Sequence, residues 1–410
     1  MTIEGGSDGR DGGGDGTPER LWSGNFVLAI ATNLCISMVF YLLMTTMALY
    51  AVERFDASDS AAGLASSSFL IGALVARVFA GKFLDLVGRR RTLALSLVVF
   101  VLASLLYLPV TELTLLVVVR FVHGLAFGTG NTAITASVMG LIPAARRGEG
   151  IGYFGISSTL STAAGPFLAV ILLQEVGYPA LFVFSAGFSL AALALSLVLR
   201  LPERTPTAEE RARMWRLRLS DVIDPSALPI ATLMLVAGFG YSSVLTFLNS
   251  YATSEGFPAA AGGFFLVYAV VVLLSRFVMG RIQDFHGDNA VVYPTLVSFA
   301  LGLLLLGIAP NGGVVILAGA LVGFGFGALM PSAQAIAVTE APPHRVGTAT
   351  STFYLLLDSG TGLGPLLLGA LIPVTGFHGM YLVLSGILLA STLLYHRVHG
   401  HKRFVRRFAA

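Results

Sequence analysis

The ionisable side chains that matter most in this chain stand inside long apolar runs. Arg77, Arg120, His123, Arg276 and Asp358 are each surrounded by Leu, Val, Ile, Ala and Phe. A cation at the centre of a membrane helix costs about 2.5–3.5 kcal/mol on insertion scales, so it persists where it meets a carboxylate, an anion or cavity water. Arg120 therefore has two readings: a ligand for an anionic group, or a staple between helices. Asp358 is the one acid deep within an apolar run. It must either pair with a cation, Arg77 being a candidate, or hold a proton; a carboxyl that exchanges its proton near neutral pH can couple transport to protons.

Helical periodicity groups further polar residues. Arg120, His123, Phe127 and Asn131 share one helix face. Asn33, Ser37, Tyr41 and Thr45 recur at every fourth position, as do Tyr241, Leu245 and Asn249, and Gln334 follows Pro331. These stripes are expected to line a cavity. The substrate-binding candidates are Asn33, Tyr41, Arg120, His123, Phe127, Asn131, Tyr241, Asn249 and Gln334, and the proton-coupling candidates are Asp358 and Arg120. A lone Asn or Ser in a membrane helix also serves as interhelical glue, so each of these residues keeps that plainer reading.

Nothing in the pattern points to an enzyme, a metal site or a cofactor. The histidines are scattered, no G-x-x-x-x-G-K-[ST] loop is present, and the single Cys35 supports neither a disulfide framework nor a thiolate cluster. The sequence pI of ≈ 9.1 reflects basic loop anchors, and no nucleic-acid partner is expected.

The elements that position these residues follow from composition. The chain has 410 residues, 55% hydrophobic and 11% charged, where a soluble domain carries roughly 25% charged residues. Mean hydropathy is +0.83. A membrane-spanning helix needs about 20 apolar residues. Twelve such runs are present, near 25–50, 59–81, 91–110, 112–140, 148–173, 178–200, 226–252, 258–280, 290–309, 313–338, 346–371 and 377–396. Spans three, six, nine and twelve carry few strongly polar residues and suit lipid contact. The expected architecture is an all-α membrane protein, twelve transmembrane helices in two pseudo-symmetric six-helix bundles. Residues 1–20 form a glycine-rich acidic tail expected to be disordered, 21–201 the first bundle, 202–225 a linker, 226–396 the second bundle and 397–410 a basic tail.

Nearly all of the 25 lysines and arginines fall in the tails and the even-numbered loops. Arg54 alone lies on the other side, and Arg77, Arg120 and Arg276 remain inside spans. By the positive-inside rule both termini are cytoplasmic. Arg211–Arg216 in the linker reads as an amphipathic segment on the membrane surface. No cleaved signal peptide is expected, the first span serving as the targeting signal.

The chain repeats itself at an offset of 199 residues. Arg77, Gly81, Lys82, Asp85 and Gly88 map to Arg276, Gly280, Arg281, Asp284 and Gly287. Gly124 and Gly128 map to Gly323 and Gly327, and Gly165-Pro166 to Gly364-Pro365. Such internal duplication marks a two-halved transporter.

Three motifs carry a family resemblance. Gly81, Asp85, Gly88, Arg89 and Arg90 form a segment similar to the G-x-x-x-D-x-x-G-R-[RK] signature of the major facilitator superfamily, and the resemblance spans about residues 25–396. It implies a conformational latch made of Gly81, Asp85, Gly88, Arg89 and Arg90, with Asp284 in the second copy. Arg120, Gly124 and Gly128 resemble the fourth-helix R-x-x-x-G-x-x-x-G pattern of proton-coupled members. Gly152, Ser161, Gly165, Pro166 and Ala169 resemble the fifth-helix motif of antiporters, with Ser161 and Ala169 where glycines are usual. Gly165-Pro166 and Gly364-Pro365 are the expected helix-bending sites. The first-helix acid of some drug–proton antiporters is absent.

The resemblance implies a drug or metabolite–proton antiporter that exports a small organic molecule by alternating access; Arg120 and the apolar Phe127 and Leu245 suggest that the molecule is anionic or amphipathic. The protein's partners are substrate, protons and the lipid bilayer, and it is expected to be monomeric in a bacterial inner membrane. A proton-coupled uptake symporter or facilitator, and a non-transporting sensor on the same fold, are the alternatives.

Overall fold

The computed structural model describes residues 21–138, 140–143, 147–201, 223–342 and 345–401. The first tail, residues 402–410 of the second and most of the linker, including its Arg211–Arg216 segment, lie outside the described residues. The chain runs through α1 (Gly24–Phe55), α2 (Asp59–Val87), α3 (Arg89–Leu106), α4 (Leu113–Val138), α5 (Arg147–Glu175) and α6 (Tyr178–Val198). The second half follows as α7 (Leu228–Ser254), α8 (Ala259–His286), α9 (Asn289–Gly307) and α10 (Gly312–Glu340). A continuous helical stretch, Val346–Tyr395, is broken at Gly376 into α11 (346–375) and α12 (377–395). Among the described residues twelve α-helices result, the last followed by a π-helical turn, His396–Gly400. Ten helical segments are long and apolar enough to span a membrane. α11 and α12 share one of these, and α3 falls short because its single 18-residue window begins with Arg89, Arg90 and Arg91.

The connections are shorter than the sequence pattern implied. The signature segment around Gly81 and Asp85 is not a loop: α2 continues through it to Val87, and Gly88 alone, at φ 91°, separates it from α3. Nothing before Gly88 disfavours helix, and a glycine reaches positive φ without a Cβ penalty. Gly287, at φ 83°, repeats the device between α8 and α9. The turns at Gly177 (φ 91°) and Gly376 (φ 67°) form another pair at the 199-residue offset, one that the motif comparison had not included. Side-chain caps hold other starts: Ser23, Ser58 and Asn311 accept from the amides of Phe26, Ala61 and Val314.

Repeat-related glycines make the same packing contacts in both halves. A Cβ on Gly124 would meet the Phe69 carbonyl, and one on Gly323 would meet the carbonyl of Tyr268, which stands 199 residues after Phe69. Gly128 faces Ala73 as Gly327 faces Val272, its repeat equivalent. The α2–α4 and α8–α10 crossings are thus brought to backbone contact by glycine stripes. Outward faces are apolar, with Leu95 and Leu102 on α3, Val183 and Leu190 on α6, and Leu389 and Leu393 on α12 exposed where lipid would cover them. Serines on these same helices, among them Ser104, Ser189 and Ser385, turn inward.

Candidate functional site

Contacts between the halves concentrate toward the face opposite the termini. There Asn249 of α7 donates to the Thr45 carbonyl of α1 at 3.0 Å, and Gln174 of α5 to the Pro258 carbonyl at 3.0 Å. Ser60 donates to the Gly369 carbonyl at 3.1 Å, and Ser67 accepts from the Leu366 amide at 2.9 Å, binding α2 to α11. Gly63 lies against the Pro365 carbonyl so closely that no Cβ fits. The bend residues therefore also serve an interface. Gly165 lies against Tyr41 in the same way, and Ser161 donates to the Leu34 carbonyl at 3.2 Å, so the small residues of α5 bring it onto α1.

Below this seal, α2 and α11 carry an ion pair between the halves: the Arg77 guanidinium holds the Asp358 carboxylate. Neither side chain is fully enclosed, at 22% and 20% exposure. Tyr354, one turn before Asp358, donates to Gln334 of α10 at 3.1 Å. Tyr354 lies within electrostatic range of both Arg77 and Arg276, and Tyr41 of α1 and Tyr268 of α8 lie within range of Arg276. Tyr41, Gln334 and Asp358 of the sequence-derived candidates thus converge at the junction of the halves. Arg77, Arg276 and Tyr354 join them. A cavity of about 520 Å³ runs from Arg276 along α8 and α10, past Pro331 and Gln283, to Glu340 at the face of the termini.

The α4 stripe does not line this cavity. Arg120 is fully buried, with Nε donating to the Ala65 carbonyl and a terminal nitrogen to the Ser66 carbonyl, both at 3.2 Å. It also touches the Met44 sulfur at 3.3 Å and lies 4.8 Å from the Phe69 ring centre. Every one of these partners lies in the first half. Gly124 and Gly128 press α4 onto α2, and Arg120 shares their face, so it is carried into the helix crossing. His123 is likewise buried, hydrogen-bonded to Ser104 at 3.2 Å and Tyr107 at 3.0 Å on α3. Phe127 stacks on Phe40. Asn33 and Asn131 meet, Asn131 donating at 3.2 Å, while Asn33 donates to Ser157 at 2.7 Å and Ser158 at 3.1 Å. That cluster ties α1, α4 and α5. Tyr241 is buried against Phe326 with ring centroids 4.0 Å apart, and Asn249 belongs to the seal between the halves.

Arg90 of the signature donates to the Leu197 carbonyl at 3.0 Å, tying α3 to α6 within one half. The side chains of Asp85 and Asp284 lie outside the described residues. Near the start of α7, Asp224 pairs with Arg345, accepts from Ser226, and its amide donates to Thr352 at 2.8 Å. The Ser226 and Arg345 hydrogen bonds hold the Asp224 carboxyl below the usual range, at about 2.

Comparison with known proteins agrees with this architecture. The family model of the Major Facilitator Superfamily matches residues 29–291 and 258–408. The uncharacterised MFS-type transporter YhhS of Shigella flexneri is 27% identical over 356 residues, covering 82% of this chain and 83% of its own. An uncharacterised MFS-type transporter of Burkholderia pseudomallei is 27% identical over 357 residues, with the same coverage. Among solved structures, a POT family transporter in complex with a thioalcohol-conjugated peptide superposes with a TM-score of 0.76 at 16% identity, over 91% of this chain and 96% of its own. A nucleoside transporter, NupG, superposes with a TM-score of 0.74 at 13% identity, over 92% of this chain and 100% of its own. Twelve helices in two repeated halves, sealed at one face and hollow toward the other, thus coincide with the family match: the chain belongs to the Major Facilitator Superfamily and is a multi-pass membrane transporter rather than an enzyme.

Proposed function

We propose that the protein exports a small organic, anionic or amphipathic molecule by proton antiport through alternating access. The observation that carries this reading is the Arg77–Asp358 pair. It joins the two halves, and both partners remain partly open. Protonation of Asp358 releases Arg77, loosens α2 from α11 and favours opening of the sealed face. Loss of the proton restores the pair. A ligand or proton shifts such an equilibrium only by its different affinity for the two states, and an ion pair present in one state supplies that difference.

With both termini in the cytoplasm, as the distribution of basic residues supports, the sealed face is external and the cavity opens inward. Cargo then enters from the cytoplasm. The fifth-helix small-residue motif, resembling that of antiporters, favours export as well. Asp85, at the end of α2, is assigned the latch that holds the alternative state, where a carboxylate is stabilised near a helix N-terminus. The buried setting of Arg120 favours a stapling role over substrate contact.

Proteoliposomes with an acidic lumen and an internal pH dye test the reading. Addition of a panel of aromatic and aliphatic acids and amines outside is expected to raise lumenal pH for the transported compound. Lumenal acidification on addition into vesicles at neutral pH identifies a symporter instead. Flux without any proton movement identifies a facilitator.

A further inference from the structure

The duplication is broken opposite one arginine of the repeat, Arg276. In the first half Arg77 of α2 faces Asp358 of α11. The 199-residue offset sends Arg77 to Arg276, and sends Asp358 back to Thr159 of α5. Thr159 carries no charge, and its hydroxyl donates to its own helix, to the Gly155 carbonyl at 3.1 Å. Arg276 has no carboxylate within ion-pair distance among the described residues. It nevertheless lines the cavity and is exposed there.

The surroundings of Arg276 fit a ligand. Tyr41, Tyr268 and Tyr354 lie within electrostatic range of it, drawn from both halves. Gln334 accepts from Tyr354 and lies on α10 beside the cavity wall. Pro331, Ala328 and Ile336 give that wall an apolar stretch. A cation kept at high insertion cost, with no carboxylate at ion-pair distance among the described residues, in a cavity whose acids Asp288 and Glu340 stand at the far end of α8 and α10, is short of one anion.

We propose that Arg276 is the anchor for the anionic group of the cargo, and that the cargo is a monoanionic amphiphile such as an aromatic or medium-chain carboxylate or sulfonate. The guanidinium takes the carboxylate or sulfonate through paired N–H donors, the wall of Ala328, Pro331 and Ile336 receives the adjoining apolar body, and the ligand stands to Arg276 as Asp358 stands to Arg77. This proposal rests on the transporter reading for its meaning but on binding alone for its test.

The test is thermal unfolding of the detergent-purified full chain with benzoate, octanoate and benzenesulfonate, each beside its neutral amide. The acids, and not the amides, are expected to raise the midpoint. Arg276→Gln is expected to weaken the acid response by at least about tenfold in concentration, as loss of a charged hydrogen-bond donor implies. Arg281→Gln, one turn and a residue further along α8, is expected to keep it. Thr159→Asp keeps Arg276 and places a carboxylate at the position equivalent to Asp358, so it should suppress the acid response without the amides gaining one. It serves if Arg276→Gln does not fold. An acid response retained in Arg276→Gln or in Thr159→Asp overturns the assignment, as does equal response to acids and amides or no acid response in the wild type. Acid binding that depends on Arg276 in a protein showing no proton-linked flux leaves this site standing and removes the antiport reading instead.

Discussion

The Arg77 guanidinium of one half holds the Asp358 carboxylate of the other, and this pair lies on the terminus side of the seal at which Ser67 accepts from the Leu366 amide. Its position makes it a point where one proton changes how two rigid bodies adhere. A partly open ion pair across a mobile junction contributes little to folding, so its removal tests coupling rather than assembly.

Asp358→Asn is expected to abolish uphill accumulation while exchange of substrate down its own gradient continues. The amide keeps the shape and cannot release a proton. Counterflow and pH-driven flux measured on the same proteoliposomes decide it. Wild-type uphill transport by the variant removes Asp358 from proton coupling.

Arg120→Ala is expected to lower stability rather than to abolish binding selectively. It forfeits charged hydrogen bonds to the Ala65 and Ser66 carbonyls, each worth about 1.5–3 kcal/mol. Arg120→Lys should recover only part, because an ammonium cannot span both acceptors as the planar fork does. Midpoints of thermal unfolding report the loss. A normal midpoint combined with lost binding of the acid probes reverses the assignment and returns Arg120 to the substrate site.

Gly124→Ala and Gly323→Ala are expected to be destabilising to a similar degree, about 1–3 kcal/mol each, as overpacking generally is. Each added methyl meets a backbone carbonyl of the facing helix, Phe69 in one half and Tyr268 in the other. Gly155→Ala, where a Cβ meets nothing, is the control. Equal midpoints for all three variants contradict the shared packing.

Cysteines at Thr45 and Asn249, in a Cys35→Ser background, are expected to lock the sealed face on oxidation or on reaction with a short bifunctional reagent. Asn249 reaches the Thr45 backbone at 3.0 Å, so the two positions adjoin. Transport should stop and recover on reduction. Continued flux in the cross-linked fraction shows that this face does not open in the cycle.

Asp224 sets an acid limit for the clamp at the start of α7. Its carboxyl lies at about 2 in the folded chain, below the 3.8 of a free aspartate side chain, held down by the Ser226 and Arg345 hydrogen bonds. A depressed folded value contributes stability that is fully present above the unfolded value and is lost as pH falls through the folded one. Stability from this group is therefore expected to decline between pH 4 and 2, and Asp224→Asn should flatten that part of the profile. Urea unfolding in detergent across that window measures it.

Much of the fold was legible because a membrane helix announces itself by length, and because the halves repeat at one offset. The site was less legible. In a soluble protein a polar stripe marks the exposed face, but here lipid and protein interior are both apolar, so periodicity shows which residues share a face without showing what that face meets. Arg120, His123 and Phe127 do share a face, and it meets α2 and α3. The Gly124 and Gly128 stripe was the signal that could have located it, since a glycine run in a membrane helix marks close approach. Arg276 was overlooked as a cavity residue. Comparing what the repeat places opposite each arginine, Asp358 in one case and Thr159 in the other, would have singled it out.

Position 319 has a consequence for the range of molecules handled. Gly319 occupies the place of Arg120, and a Cβ there would meet the Phe264 carbonyl, the repeat equivalent of Ala65. In α2–α4 a buried cation is fastened across the crossing, so sliding one helix along the other breaks directed bonds. In α8–α10 no cation is fastened at the equivalent point, and the directed bond between these helices is Gln283 donating to the Ser332 carbonyl at 3.1 Å, nearer the face of the termini. Tolerance for cargo of varied length would then belong to the C-terminal half, and variants that broaden or narrow it should accumulate along α8 and α10 rather than α2 and α4.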